Sequence, residues 1–296
     1  MAFKDETSGI AASVFLAIYS IFAPFMCFVI LKRGIRTVYG FIWFFAIVRF
    51  GGQLCGVVHS ILGPQYWKWL IAYLVLGAEG YFALILASFH TICKGQKYAL
   101  GTSWLEQTGP STFSTGLPIV SRLTKSWSAL FKTVLIPANV LVIISGVILS
   151  GISTEDVSQQ STLLKESKKL RTIGQAMFLG LMVVSAVTNQ YVMWVQGVRN
   201  KYTIATALAT PFLLVRGTFG MLSIYLTSMN YFNVQNTVGM KTSVVIFEYT
   251  LGTTMELLAA LAMVSPFFTE GKKKTMILGN AIEDTRSEED YKREWN

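Results

Sequence analysis

The sequence predicts an all-α fold: a polytopic integral membrane protein, a bundle of seven transmembrane helices with its N-terminus outside and its C-terminus cytoplasmic. Three observations carry this reading. Of 296 residues, 52% are hydrophobic and 14% are charged, where an ordinary soluble domain has about 25% charged. Mean hydropathy is +0.49. Seven apolar stretches reach the length of about 20 residues that a helix needs to cross a hydrocarbon core of about 30 Å. The stretches are continuous, which argues against a barrel of alternating strands of about ten residues.

The first span is expected over Ile10 to Leu31, the second over Val38 to Ser60 and the third over Trp69 to Ile92. The fourth runs from Ser128 to Ser150 and the fifth from Leu170 to Trp194. The sixth covers Thr203 to Thr227 and the seventh Thr242 to Pro266. Three segments follow: an exoplasmic N-terminal tail over 1–9, the helical domain over 10–266 and a cytoplasmic tail over 267–296 that reads as disordered. The first helix lacks a basic leader and cleavage site before it, so it is expected to act as an uncleaved anchor.

Orientation follows from Lys and Arg. One set of connections holds Lys32, Arg33, Arg36, Lys94, Lys97, Arg122, Lys125, Arg199 and Lys201, and the tail adds Lys272, Lys273, Lys274, Arg286, Lys292 and Arg293, fifteen in all. The opposite set holds Lys4, Lys68, Lys165, Lys168, Lys169, Arg171 and Lys241, seven in all. The richer side belongs in the cytoplasm. The net charge of +9 is then a matter of topology and anionic lipid headgroups rather than nucleic acid. The third connection, with its segment GPSTFSTGLP, reads as a flexible loop. The fourth, STEDVSQQSTLLKESKK, has the makings of a short amphipathic helix.

Arg49, Glu79, Arg216 and Glu256 lie near the middle of apolar spans. An Arg or Asp at such depth costs roughly 2.5–3.5 kcal/mol on insertion scales. Four unpaired would cost on the order of 10 kcal/mol, comparable to the net stability of a domain. Pairing inside the bundle is therefore expected. Arg49 lies about 16 Å from the cytoplasmic end of its helix and Arg216 about 20 Å from its own, too deep to snorkel easily. Gly52 and Gly56 form a GxxxG face beside Arg49. Pro211 is expected to kink the sixth helix below Arg216. Glu248 joins Glu256 on the seventh helix, offset from it by about 80° on a regular helix. These five residues are the candidate ligand-binding set. Their simplest role is a staple between helices. Glu79 and Glu256 are also the candidates for proton carriage or acid catalysis, since an unpaired buried carboxyl holds its proton more tightly.

Cys27 and Cys55 act as small hydrophobes within apolar helices, while Cys93 is placed at a helix end, a free thiol open to S-palmitoylation. His59 and His90 fall on opposite membrane faces, and no metal-ligand spacing occurs, so no metal and no cofactor are expected. The aromatic residues are expected mostly at the interface or facing lipid, with a stacking cage for a polycyclic ligand as the alternative.

Seven helices invite a receptor reading. The last span has no lysine for a retinal Schiff base, and the cysteine, acidic-Arg-Tyr and Asn-Pro-x-x-Tyr features of G-protein-coupled receptors are missing. FFAIVRFGGQ in the second helix, TPFLLVRGTFGMLSIY in the sixth and TTMELLAAL in the seventh resemble an uncharacterised fungal family of seven-helix membrane proteins, a domain of unknown function. The resemblance spans roughly residues 10–266 and places Arg49, Arg216 and Glu256 in its motifs. A weaker resemblance is to fungal lipid-translocating exporters, in which an Asp-x-x-Pro-Met turn occupies the seventh helix. Here Gly252 and Thr254 stand at the Asp and Pro-like positions before Met255. The resemblances imply a protein that binds or translocates an amphipathic small molecule or lipid, with Arg49 and Arg216 on its headgroup and Glu79 and Glu256 balancing them when the site is empty. Its partners would be membrane lipids and that molecule, in the plasma membrane or endoplasmic reticulum. A membrane-embedded enzyme of secondary metabolism, with terpenoid-cyclase-like acid catalysis, and a non-standard receptor are the alternatives.

Overall fold

A computed structural model describes residues 3–107, 126–150, 157–226, 229 and 242–269. These residues are helical throughout, without strands, and hold seven helices long and apolar enough to cross a membrane. We label them α1 (Glu6–Arg33), α2 (Val38–Leu62), α3 (Lys68–Leu100), α4 (Trp127–Ser150), α5 (Val157–Trp194), α6 (Lys201–Tyr225) and α7 (Thr242–Thr269). A single further turn, Trp104–Gln107, follows α3. The flexible stretch expected within the third connection, and the basic and acidic parts of the tail, lie outside the described residues.

Local chemistry sets the helix ends. The Asp5 carboxylate accepts from the Ser8 amide at 3.3 Å and caps α1. Asn200 begins α6 with a reciprocal box: its Oδ1 accepts from Thr203 N–H at 3.1 Å, and its own N–H donates to Thr203 Oγ1 at 3.0 Å. α1 stops at Gly34, whose φ of 86° few other residues adopt. The tight connection that follows brings α2 back along α1.

α3 is the central helix: 61% of its apolar window is buried, against 22% for α1. It packs on α2, α4, α5 and α6. The outward side of the bundle is apolar, with Leu31, Ile21, Val187 and Trp194 largely exposed. Such a belt is costly in water and matches a hydrocarbon surround.

The structure corrects four expectations. α3 continues to Leu100 rather than stopping at Ile92, so Cys93 sits within the helix and is only 1% exposed, out of reach of palmitoylation at the headgroup level. α5 starts at Val157 rather than Leu170: the polar end of the fourth connection extends this helix instead of forming a separate one. There Ser167 donates to the Ser145 carbonyl at 3.0 Å, and Lys169 pairs with Glu166 one turn away at 2.8 Å. Many aromatic side chains are core rather than lipid-facing, including Tyr19, Tyr39, Phe45, Tyr81 and Phe178, each at most 1% exposed. Finally, α7 is not a regular helix: residues Glu248–Thr254 form a π segment.

Candidate functional site

The centre of the bundle is an ion triad. Arg49 reaches from α2 and Arg216 from α6 to a single carboxylate on α7. Arg49 Nε donates to Glu256 Oε2 at 2.5 Å, and its Nη2 lies at the same distance from that oxygen. Arg216 Nε donates to Oε1, also at 2.5 Å. Arg49 and Glu256 are fully buried. A bare guanidinium at this depth would be prohibitive; sharing a carboxylate offsets much of the cost.

Glycines make room for the triad. A Cβ on Gly77 would meet Arg49 Nη1 at 3.1 Å, and one on Gly80 would meet Arg49 Nε at 3.2 Å. The GAEG run of α3 is thus a cradle for an arginine from the neighbouring helix, which its spacing in the sequence did not reveal. Gly52 takes close approach from Leu76 of α3, and Gly56 from Ala12 of α1 and Tyr73 of α3, as the GxxxG face implies. On α6, Gly217 leaves space for the Tyr81 hydroxyl, which donates to the Leu213 carbonyl at 3.1 Å. The Arg216 guanidinium stacks over Tyr81 and Phe219, 5.4 and 5.9 Å from their ring centres.

The π segment corrects the expected offset between the two acidic residues of α7. Each π turn holds one residue more than an α turn, and one residue is about 100° of helix. The offset of about 80° is therefore nearly cancelled, and Glu248 and Glu256 face the same side of α7. The Thr254 hydroxyl donates to the Tyr249 carbonyl, five residues back, at 2.6 Å. Gly252 lets the Glu248 carboxylate fold onto the helix, where a Cβ would sit 3.0 Å from Oε2. Tyr73 donates to Glu248 Oε1 at 3.1 Å.

Glu248 and Arg216 line one cavity of about 60 Å³. It lies near the end of the bundle that carries the chain's N-terminus, between α3, α4, α5, α6 and α7. Arg171, Gln175, Ser145 and Ser223 supply its other polar walls, and Val75, Val142 and Phe219 some of its apolar ones. Gly220 admits the Gln175 amide, since a Cβ there would lie 2.7 Å from Oε1. Only the Nε of Arg216 is engaged by Glu256; among the described residues its two Nη nitrogens make no hydrogen bond. Gln53, which accepts from Tyr249 at 3.3 Å, Tyr73 and Gln175 were not singled out from sequence. Their signal was available: each is a polar side chain on an apolar span, and Gln53 stands one turn from Arg49 on the same face.

Glu79 does not join this cluster. Its expected role in balancing an arginine is not met, because α3 points it toward α4, where Asn139 Nδ2 donates to Oε1 at 2.7 Å. Gly77 and Gly80 on either side of it do face Arg49. At the opposite end of the bundle, Arg36 rims an apolar groove of about 430 Å³ between α2 and α3, walled by Phe41, Phe44 and Phe82. Among the described residues no His, Cys, Asp and Glu cluster has the makings of a metal site.

Fold and site together define a class: a seven-helix bundle, apolar on its outside, with an Arg–Glu–Arg triad at its core and a small polar cavity above it. No family model, curated protein or solved structure matches the chain.

Proposed function

We propose that this is a multi-pass membrane protein that binds or translocates an amphipathic small molecule or lipid by its headgroup. One observation carries the reading: Arg216 is anchored through Nε while both Nη nitrogens remain uncommitted at the wall of a cavity. A fixed guanidinium fork of this kind suits a phosphate or carboxylate. Arg171 and Glu248 line the same cavity, so the fork stands beside one further cation and one anion. Size narrows the choice. A cavity of about 60 Å³ equals the liquid volume of about two waters. It has room for a group of about phosphate size, leaving the rest of an amphipathic ligand outside, and it is too small to cage a polycyclic ligand.

Acid catalysis by Glu256 has less support, since each of its two oxygens accepts from a guanidinium. The test uses purified protein titrated with short-chain phosphatidylcholine and with diacylglycerol of the same chains. Only the phospholipid should raise the unfolding temperature, and Arg216→Gln should abolish that rise. Equal stabilisation by diacylglycerol would sink the proposal.

A further inference from the structure

We infer that Glu79 is a proton-binding site open to the bilayer at mid-depth, with Asn139 as the partner that serves both of its protonation states. The inference rests on the membrane-spanning reading of the helices and not on the headgroup cavity.

α3 is buried around most of its circumference. One stripe is not: Ala72, Val75, Leu76, Glu79, Phe82 and Leu86 are all partly exposed. At 100° per residue these positions fall within about 60° of Glu79, so the carboxyl stands at the centre of the partly exposed stripe, between the cavity wall at Val75 and the apolar groove at Phe82 and Leu86. Along the axis it lies about 16 Å from Lys68, half-way through a hydrocarbon core of about 30 Å. A carboxylate there has apolar neighbours above and below and would be costly. Binding a proton removes the charge without moving the helix.

The neighbouring charges do not take over this task. From α2, Arg49 lies against Gly77 and Gly80 on the far side of α3 and is bound to Glu256. From α6, Arg216 stacks on Tyr81, also on the far side. α5 meets α3 through Phe178 and Ser185. From α4, Lys132 is seven residues from Asn139 in sequence, two turns along the helix and roughly 10 Å away. Asn139 alone reaches Glu79 among the described residues.

Asn139 is a second, independent pointer. It is 8% exposed, and its Oδ1 has no hydrogen-bond partner. A buried amide with one end used and the other orphaned is expensive. Its two ends match the two forms of the acid. Nδ2 donates to the carboxylate; Oδ1 can accept from the O–H of the carboxylic acid. The amide thus fits a site that gains and loses a proton.

A hydrophobic carbodiimide tests this on the unaltered protein. Dicyclohexylcarbodiimide reacts with a protonated carboxyl: the oxygen adds to the central carbon and the proton passes to one nitrogen. An oxygen-to-nitrogen acyl shift then leaves a stable N-acylurea, with no leaving group. Protein in lipid nanodiscs is labelled over a pH series, digested and read by peptide mass spectrometry. The expected result is an adduct at Glu79 whose initial rate falls by about tenfold per pH unit once the acid is mostly ionised. A water-soluble carbodiimide should leave Glu79 unmodified. Asn139→Leu removes a bond to each form, but the charge-assisted one to the carboxylate is the stronger, so it should raise labelling severalfold at a fixed alkaline pH. Arg216→Gln should leave labelling unchanged, which separates this site from the headgroup cavity. Absence of the adduct, a rate flat in pH, or equal modification by the water-soluble reagent would each overturn the inference. Unchanged labelling in Asn139→Leu would overturn the role given to the amide.

Discussion

Arg49 and Arg216 hold opposite oxygens of the same carboxylate, that of Glu256, each through a hydrogen bond of 2.5 Å from Nε. The three groups come from three helices, so the carboxylate ties α2, α6 and α7 together at mid-depth. Two cations share one anion. Glu248 lies within electrostatic reach of both arginines.

This sharing sets an order among substitutions. Breaking a buried pair costs about 3–5 kcal/mol because the surviving charge is left uncompensated. Glu256→Gln leaves two such charges and should lower the unfolding temperature more than Arg49→Met or Arg216→Met. Arg49→Met should in turn cost more than Arg216→Met, since Arg49 is fully buried while Arg216 borders the cavity. Adding Arg216→Met to Glu256→Gln should recover only part of the loss, because Arg49 stays unpaired. Thermal unfolding in detergent checks the series; a Glu256→Gln protein as stable as the parent would refute the triad.

The glycine cradle makes a second prediction with an internal control. Gly80→Ala places a methyl 3.2 Å from Arg49 Nε and 3.3 Å from both Arg49 Cγ and Phe45. Gly217→Ala places one 2.5 Å from the Tyr81 hydroxyl, well inside contact distance. Overpacking of this kind costs about 1–3 kcal/mol. Gly180 has nothing within 4 Å of its would-be Cβ, and Ala there should be neutral or stabilising by up to about 1 kcal/mol. If all three variants unfold at the same temperature, packing on the triad does not set their cost.

The irregular turn of α7 gives a third prediction. Gly252→Ala should push Glu248 off the helix, because its Cβ would lie 3.0 Å from Oε2 and 3.1 Å from Cδ. Deleting Leu251 should return the segment to an α-helix and leave Glu248 and Glu256 seven residues apart, about 20° from alignment and so still on one face. The deletion should therefore be far less damaging than Glu256→Gln, and the substitution should spare the triad and impair only the cavity. Comparing unfolding temperatures with short-chain phospholipid binding separates the two effects.

The seven spans were legible in the sequence because an apolar run long enough to cross a bilayer is an additive, local property. The need to pair Arg49 and Arg216 was legible for the same reason: the cost of a buried charge does not depend on its partner. The choice of partner was not. Glu79 and Glu256 stand near mid-depth, Glu248 lies about two turns nearer the start of α7, and helix rotation decides among them. That rotation depends on which face of α3 packs inward and on a π segment whose extra residue leaves no mark in hydropathy. Gly77 and Gly80 flank the acid in sequence yet serve an arginine on another helix, so the run reads differently once the helices are assembled. The aromatic core around Tyr19 and Tyr81 was missed because the interface and a bundle interior both favour amphipathic rings.

Orientation and cavity access can be tested together. The excess of Lys and Arg predicts that the connections α1–α2, α3–α4 and α5–α6 and the tail are cytoplasmic. A tag after Asn296 should then be digested only from the cytosolic side of sealed vesicles. The cavity borders the other end: Ile71 lies in the first turn of α3, Leu149 in the last turn of α4 and Ser223 in the last turn of α6. Lys4 Nζ, donating to the Leu62 carbonyl at 2.9 Å, places the N-terminus at this same end. With Cys27, Cys55 and Cys93 replaced by Ala, a Ser223→Cys protein should react with a membrane-impermeant maleimide added from the exoplasmic side. Prior short-chain phospholipid should slow that reaction, because its headgroup would occupy the space beside Arg216. Reaction from the cytosolic side alone would invert the topology; reaction from the exoplasmic side that phospholipid does not slow would keep the topology and remove the headgroup from the cavity.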